Sequence, residues 1–268
     1  MRYILAHAYG ALIGKEPWKG RVLSVHQRVI NVLRSDGLVI SLVADRTSMS
    51  AMTVLADELF EHPPDTTLLG MPVVKSCAII NLEGFASIQC AECPKWEGAV
   101  NETAIRLLPR ELIQAIRDCV LTFGKEGGLL GILKSGQTAN AFVARGRIVL
   151  EKGSPWMLVG CGPGLTPAGD DFLTGAMLAS SPVISPYRTR IECLLSRTTY
   201  TGRTLLWTAL RGRFPAYMVD FIETVLCHPA SEIAVVHAVR AACAHGETSG
   251  TDALAGFCWQ IQRAENHE

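Results

Sequence analysis

The chain has 268 residues, of which 49% are hydrophobic, and its 25 Lys and Arg balance 25 Asp and Glu. That length is enough for one large domain or two smaller ones with cores of their own. The neutral balance leaves no basic field of the kind that draws nucleic acid or an anionic membrane, and no apolar run approaches the roughly 20 residues that span a bilayer.

The opening MRYILAHAYGALIGKEP lacks a basic n-region, a long apolar core and a cleavage site, so it does not read as a secretory signal. Nine cysteines, an odd number without a framework, suit a reducing compartment. Cytoplasmic localisation is the expectation. Cys90 and Cys93 form the one close pair, and without a second pair or spaced His residues they read as reduced thiols rather than zinc ligands.

In chain order, a short N-terminal helix is expected first, followed by strands at Arg21–Val25, Arg28–Leu33 and Leu38–Val43, with a turn at Ser35-Asp36-Gly37. A further hairpin is expected from Val73–Asn81 and Phe85–Gln89, turning around Leu82-Glu83-Gly84. Beyond Pro94 the periodicity changes. Glu102–Phe123 places Ile105, Leu108, Leu112, Ile116 and Val120 on one helical stripe. The glycine-rich KEGGLLGIL interrupts it before a helix around Asn140–Arg147. Further helices are expected at Gly169–Ser180, Arg188–Ser196, Gly202–Arg211, Ala216–Cys227, Ser231–His245 and Ser249–Arg263, with breaks at Pro182, Pro186, Pro215, Pro229 and Gly246. The class is α+β: a small β-barrel or sandwich-like domain over 1–97, then a mostly helical domain over 98–268.

Residues 160–175, GCGPGLTPAGDDFLTG, are the most informative stretch. Gly160, Gly162 and Gly164 permit positive φ and close approach of a ligand to the main chain. Thr166 is the expected N-cap and Pro167 the first helical residue. A helix start behind such a loop attracts anions, yet Asp170 and Asp171 make this one negative. The pairing calls for a cation or for a substrate that donates hydrogen bonds.

The helix start recurs. GTDALAG from Gly250 superposes on GDDFLTG from Gly169 as G-x-D-x-L-x-G, with Thr248-Ser249 standing where Thr166-Pro167 stand. Asp171 then corresponds to Asp252, and Gly175 to Gly256. Each Gly lies one helical turn beyond its Asp, on the same side. Two helices meeting near their N-terminal ends, with Asp171 and Asp252 flanking one cavity, is the economical picture. Gly175 and Gly256 should then face a neighbouring backbone. Asp170 is turned about 100° from Asp171 by the 3.6-residue repeat.

Between the two motifs, Arg197, Arg203, Arg211 and Arg213 are candidate cations for an anionic substrate, although singly each reads as a surface residue. His245 reads as a cation at a helix C-terminus, and Cys161 as a small loop-filling thiol. There is no nucleophile elbow, Walker loop or HExxH. GCGPG lacks the βαβ context of a Rossmann loop.

The GCGPGLTPAGDDFLTG run followed by TSGTDALAG, together with the earlier SVHQRVINVLRSDGLVISLV, closely resembles the AllH-like family. That resemblance implies a subunit of an oxamate carbamoyltransferase of allantoin degradation, working with FdrA and AllG subunits on oxamate or oxalurate and carbamoyl phosphate or phosphate. Under it, Asp171 and Asp252 are the catalytic candidates. Gly162, Gly164, Thr166, Gly169, Asp170, Thr248, Ser249 and Gly250 are the substrate-binding candidates. No metal-ligand set is assigned, and Mg²⁺ is the one candidate cofactor. Two other readings stay open: a magnesium-dependent hydrolase resembling ADP-ribosylglycohydrolases, of whose Gly-Asp-x-Asp-Thr pattern only a fragment is present, and a non-catalytic assembly subunit.

Overall fold

The computed structural model describes residues 2–179 and 187–265. Ser180, Pro182 and Pro186, which figured in the expected helix end and breaks, lie outside the described residues. The chain divides into two compact units, Met1–Gly98 and Ala99–Glu268, and the class is α+β.

The first unit is one ten-stranded mixed sheet curled into a half-barrel. Its strands are β1 (Arg2–Leu5), β2 (Ala8–Gly10), β3 (Trp18–His26), β4 (Val29–Arg34), β5 (Val39–Val43), β6 (Thr53–Leu55), β7 (Pro72–Ser76), β8 (Ile79–Leu82), β9 (Ala86–Gln89) and β10 (Lys95–Trp96). They run β1-β9-β8-β7-β3-β4-β5-β6-β2-β10, with the two earliest strands parallel to β9 and β10.

The expected N-terminal helix is therefore two short strands. In β1 only Ile4 is buried between exposed Tyr3 and Leu5, which is a period of two rather than a helical stripe. Gly37 supplies the left-handed residue of the β4–β5 turn, with φ 82°. Val73–Asn81 is not one strand but β7 and β8, folded at Cys77, whose φ of 51° is one that a sequence seldom signals without Gly, Asn or Asp. In β7 the inward positions are Val73 and Lys75. Lys75 is 2% exposed, and its Nζ donates to the Lys15 and Glu16 carbonyls at 2.7 and 3.3 Å.

The second unit holds α1 (Glu102–Arg106), α2 (Arg110–Phe123), α3 (Ala141–Glu151), α4 (Ala168–Leu178), α5 (Arg188–Cys193), α6 (Tyr200–Ala209), α7 (Ala216–Cys227), α8 (Glu232–Ala244) and α9 (Ser249–Glu265). The single helix expected over Glu102–Phe123 breaks at Pro109, which caps α2 in an extended conformation and lacks the N–H that a continuous helix needs. All eleven residues of α4 are buried, as are Gly250 to Cys258 of α9. Helices buried on every side belong to the centre of a core, and α4 and α9 are that centre. Among the described residues no helix is long and apolar enough to cross a membrane.

Candidate functional site

α4 and α9 are held together through their small residues, reciprocally. A methyl added at Gly175 would fall on the carbonyl oxygen of Ala253, and one added at Gly256 would fall on that of Phe172. Ala253 and Phe172 are the residues that follow Asp252 and Asp171, so each motif's glycine receives the backbone just beyond the other motif's acid. The first glycines behave alike. A side chain at Gly169 would collide with the Leu158 carbonyl, and one at Gly250 with that of Ala242. Their N–H groups are also taken, Gly169 by the Cys161 carbonyl at 2.7 Å and Gly250 by that of His245 at 3.1 Å. Both glycines seat their helices.

The helix starts converge. Thr166 Oγ1 and Ser249 Oγ lie 3.1 Å apart, across 83 residues of chain. Thr166 is not the N-cap: Pro167 is, and its carbonyl accepts from the Asp170 and Asp171 N–H groups. The threonine hydroxyl is thereby left to face α9.

The three buried acids differ in what satisfies them. Asp170 is 0% exposed; it accepts from the Gly160 N–H at 2.8 Å and from the Thr198 hydroxyl. It therefore pins the glycine loop. Burial pushes its carboxyl up to about 6 against those two donors. Asp252, also 0% exposed, accepts from the Leu129 N–H at 2.5 Å. Burial raises it to about 6, opposed by that N–H and by the Thr248 hydroxyl.

Asp171 receives no backbone donor. Burial holds its carboxyl well above the ordinary range, the charges of Asp252 and Asp170 add to the shift, and the Ser249 and Thr166 hydroxyls oppose it. Oδ2 of Asp171 and Oδ2 of Asp252 are both buried without a hydrogen-bond partner. An unpaired acceptor in a low-dielectric interior is costly, and two of them sit at the meeting point of the two motifs.

The rim is softer. Thr166, Thr248 and Ser249 are half-buried and Gly164 is exposed. Gly160, Gly162 and Gly164 carry φ of 72°, 119° and 94°, as the glycine run predicts. Space at Gly164 is open, whereas a side chain at Gly162 would press on the Ala168 nitrogen at 2.8 Å.

The arginines between the motifs are dispersed. Arg211 stacks over Trp207 at 3.9 Å and pairs with Glu192 at 4.0 Å. Arg197 is exposed, and Arg203 carries a buried Nε without a partner. Thr198 and Thr199 beside Arg197 serve Asp170 and the N-cap of α6. His245 is not the cation at the end of α8: burial and Lys125 lower its pKa, and Lys125 Nζ itself donates to the Ala244 and Gly246 carbonyls at 3.1 and 2.7 Å.

Three contributors escaped the sequence reading. Gly128 and Leu129 of the KEGGLLGIL segment form the wall of Asp252, because only a glycine at 128 leaves room for its carboxylate. The signal in the sequence is a second glycine cluster, which by itself reads as a helix break. Tyr217 is 8% exposed and its ring stacks on His245 at 4.1 Å and 14°. Burial, then Asp171 and Asp252, keep its phenol well above its ordinary range and therefore neutral. Nothing in the sequence marks this tyrosine, since it lies within an apolar helix.

Among the described residues no three His, Cys, Asp or Glu side chains group closely enough to hold a metal. Mg²⁺ is commonly held by one or two carboxylates plus substrate oxygens, and Asp171 and Asp252 are the side chains that would contribute. Cys90 and Cys93 are free thiols, with burial raising the first to about 12.

The fold and site define a two-unit α+β protein whose helical unit carries paired carboxyls at the joined starts of two buried helices. Residues 158–261 match the family model described as oxamate carbamoyltransferase subunit AllH. The matched span runs from the glycine loop to the end of the buried part of α9, so it contains both motifs. No solved structure matches the chain.

Proposed function

We propose that the chain is a subunit of an oxamate carbamoyltransferase and that it binds substrate between Asp171 and Asp252. In the reaction, a phosphate oxygen attacks the ureido carbonyl carbon of oxalurate. The bond to the oxamate nitrogen breaks, that nitrogen takes up a proton, and carbamoyl phosphate and oxamate leave. The complex works in the cytoplasm, in allantoin degradation, with FdrA and AllG as the other subunits. Thr166, Thr248 and Ser249 form the hydroxyl rim, and the backbone at Gly162 and Gly164 faces the substrate. Oxyanion and phosphate charge need preorganised donors. With two acids in place, the opposing cation comes from the substrate complex or a partner subunit.

The observation that carries this reading is the pair of unpartnered, buried carboxyl oxygens inside the span matched by the AllH model. They require hydrogen-bond donors, which the amide and carbamoyl groups of these substrates supply. The test is phosphate-dependent cleavage of oxalurate by the chain alone and after reconstitution with both partners. Little turnover is expected from the chain alone and full activity from the complex. Asp171→Asn in the complex should lower kcat about 100-fold, the scale of losing one preorganised polar contact. Full activity in an assembled complex carrying both Asp171→Asn and Asp252→Asn would instead make this an assembly subunit.

A further inference from the structure

Tyr217 is packed through His245 onto the start of the second acid motif and has no part in the function proposed so far. It stands at the start of α7, stacked on His245. His245 in turn abuts the second motif: its carbonyl accepts the Gly250 N–H, and its Cβ lies 3.3 Å from where a Cβ on Gly250 would be. The stack fixes the phenol ring relative to the start of α9. Buried, and within the field of both acids, the phenol keeps its proton and can act as a donor.

We propose that Asp171 Oδ2, Asp252 Oδ2 and the Tyr217 hydroxyl together form a recognition site for a primary amide or ureido group, the two acids taking its N–H hydrogens and Tyr217 donating to its carbonyl oxygen. The proposal rests on the functional reading above and deepens it, because it specifies which end of the substrate is buried. No hydrogen bond links Asp171 to Asp252, and their unpaired oxygens are coupled only through space. A planar –NH₂ has two hydrogens in fixed directions, the number needed to satisfy both. The adjacent carbonyl needs one donor, and the phenol is the neutral one at hand. Tyr217 thereby becomes a substrate-contacting residue, and His245 its positioning residue.

The probe pair is oxamate and pyruvate, which differ by NH₂ against CH₃ and share the carbonyl and carboxylate. Titration calorimetry on the full chain, and on the reconstituted complex, should give at least about tenfold tighter binding of oxamate, because pyruvate leaves both acid oxygens unpaired. Asp171→Asn and Asp252→Asn should bring the two affinities close together. Tyr217→Phe, which keeps the stack, should instead weaken both ligands about tenfold and preserve their ratio, with an unchanged thermal midpoint. A merely structural tyrosine would not separate the two signatures.

Equal wild-type affinities, or no binding of either ligand to chain or complex, overturn the proposal. An unaltered Tyr217→Phe removes the phenol from it. If that variant does not fold, the ratio in the two Asp→Asn variants decides. Carbamoyl transfer with equal affinities would sink this inference and leave the functional reading standing. The oxamate preference without any transfer would do the reverse.

Discussion

The two helix starts, Gly169–Gly175 on α4 and Gly250–Gly256 on α9, pack by the same rule and are satisfied by different partners. In both, the outer glycine admits a carbonyl from the preceding segment and the inner one admits the opposite helix. Their polar positions diverge. Asp170 is matched by Thr251, which accepts the Lys125 N–H at 3.0 Å through its hydroxyl. Asp171, without a backbone donor, is matched by Asp252, which has the Leu129 N–H. Packing has been kept symmetric while the polar partners have been made asymmetric: one acid is braced by the main chain and the other by the Ser249 and Thr166 hydroxyls. A repeated scaffold with unequal wiring can hold a ligand whose two sides differ.

The packing half of that comparison is the easiest to break. Gly175→Val and Gly256→Val would each drive a side chain into a backbone carbonyl that cannot retreat. Each should cost about 3 kcal/mol, the upper end for overpacking, measured by chemical denaturation. The two losses should be equal within error. A clear inequality would show that the reciprocal packing is not a true repeat.

The charge half is read by pH. The Asp252 carboxyl is raised from 3.8 to about 6 in the folded chain, so the folded state holds its proton more tightly than the unfolded state does. Above pH 6 the ionised form therefore costs about 3 kcal/mol. That cost shrinks as pH falls through 6 and is gone below the unfolded value near 4. Asp171 acts in the same direction. The unliganded protein should be more stable at pH 5 than at pH 8, and Asp171→Asn with Asp252→Asn should weaken the dependence, leaving the share of Asp170, which is also raised to about 6. The single substitutions should be non-additive, because the two groups share one field. Denaturation midpoints across pH check this. Constant stability between pH 5 and 8 would contradict the buried, unpaired state of the acids.

A smaller effect sharpens the difference between Asp170 and Thr251. Asp170→Ala strands both the Gly160 N–H and the Thr198 hydroxyl and should cost about 2 kcal/mol. Thr251→Val strands one backbone donor, the Lys125 N–H, and removes the weak partner of the Cys243 thiol, and should cost about 1 kcal/mol. Thermal midpoints of the two variants, compared with wild type, rank them. The opposite ranking would mean that Asp170 does not brace the glycine loop.

Much of this was legible in the residues. The G-x-D-x-L-x-G repeat gave the convergence of α4 and α9 and the close backbone contacts of Gly175 and Gly256, because helical spacing fixes which side chains share a face. Glycine punctuation gave the positive φ values of Gly160, Gly162 and Gly164 and the turn at Gly37. Periodicity gave the change from strands to helices after the first hundred residues, and α7 to the residue. These properties are local, and local spacing is enough to encode them.

What the sequence could not supply came from partners distant along the chain. Whether Thr166 would cap its helix or reach for Ser249, whether Asp170 or Asp171 would receive the backbone donor, that Leu129 would stand beside Asp252, and that Tyr217 would lie within the field of both acids depend on placements across tens to more than a hundred residues. A short polar residue at a helix start has several competing donors and acceptors within reach, each bond worth only about 1 kcal/mol. The choice among them is made by where the packed backbone places those groups, and that placement exists only in the folded chain.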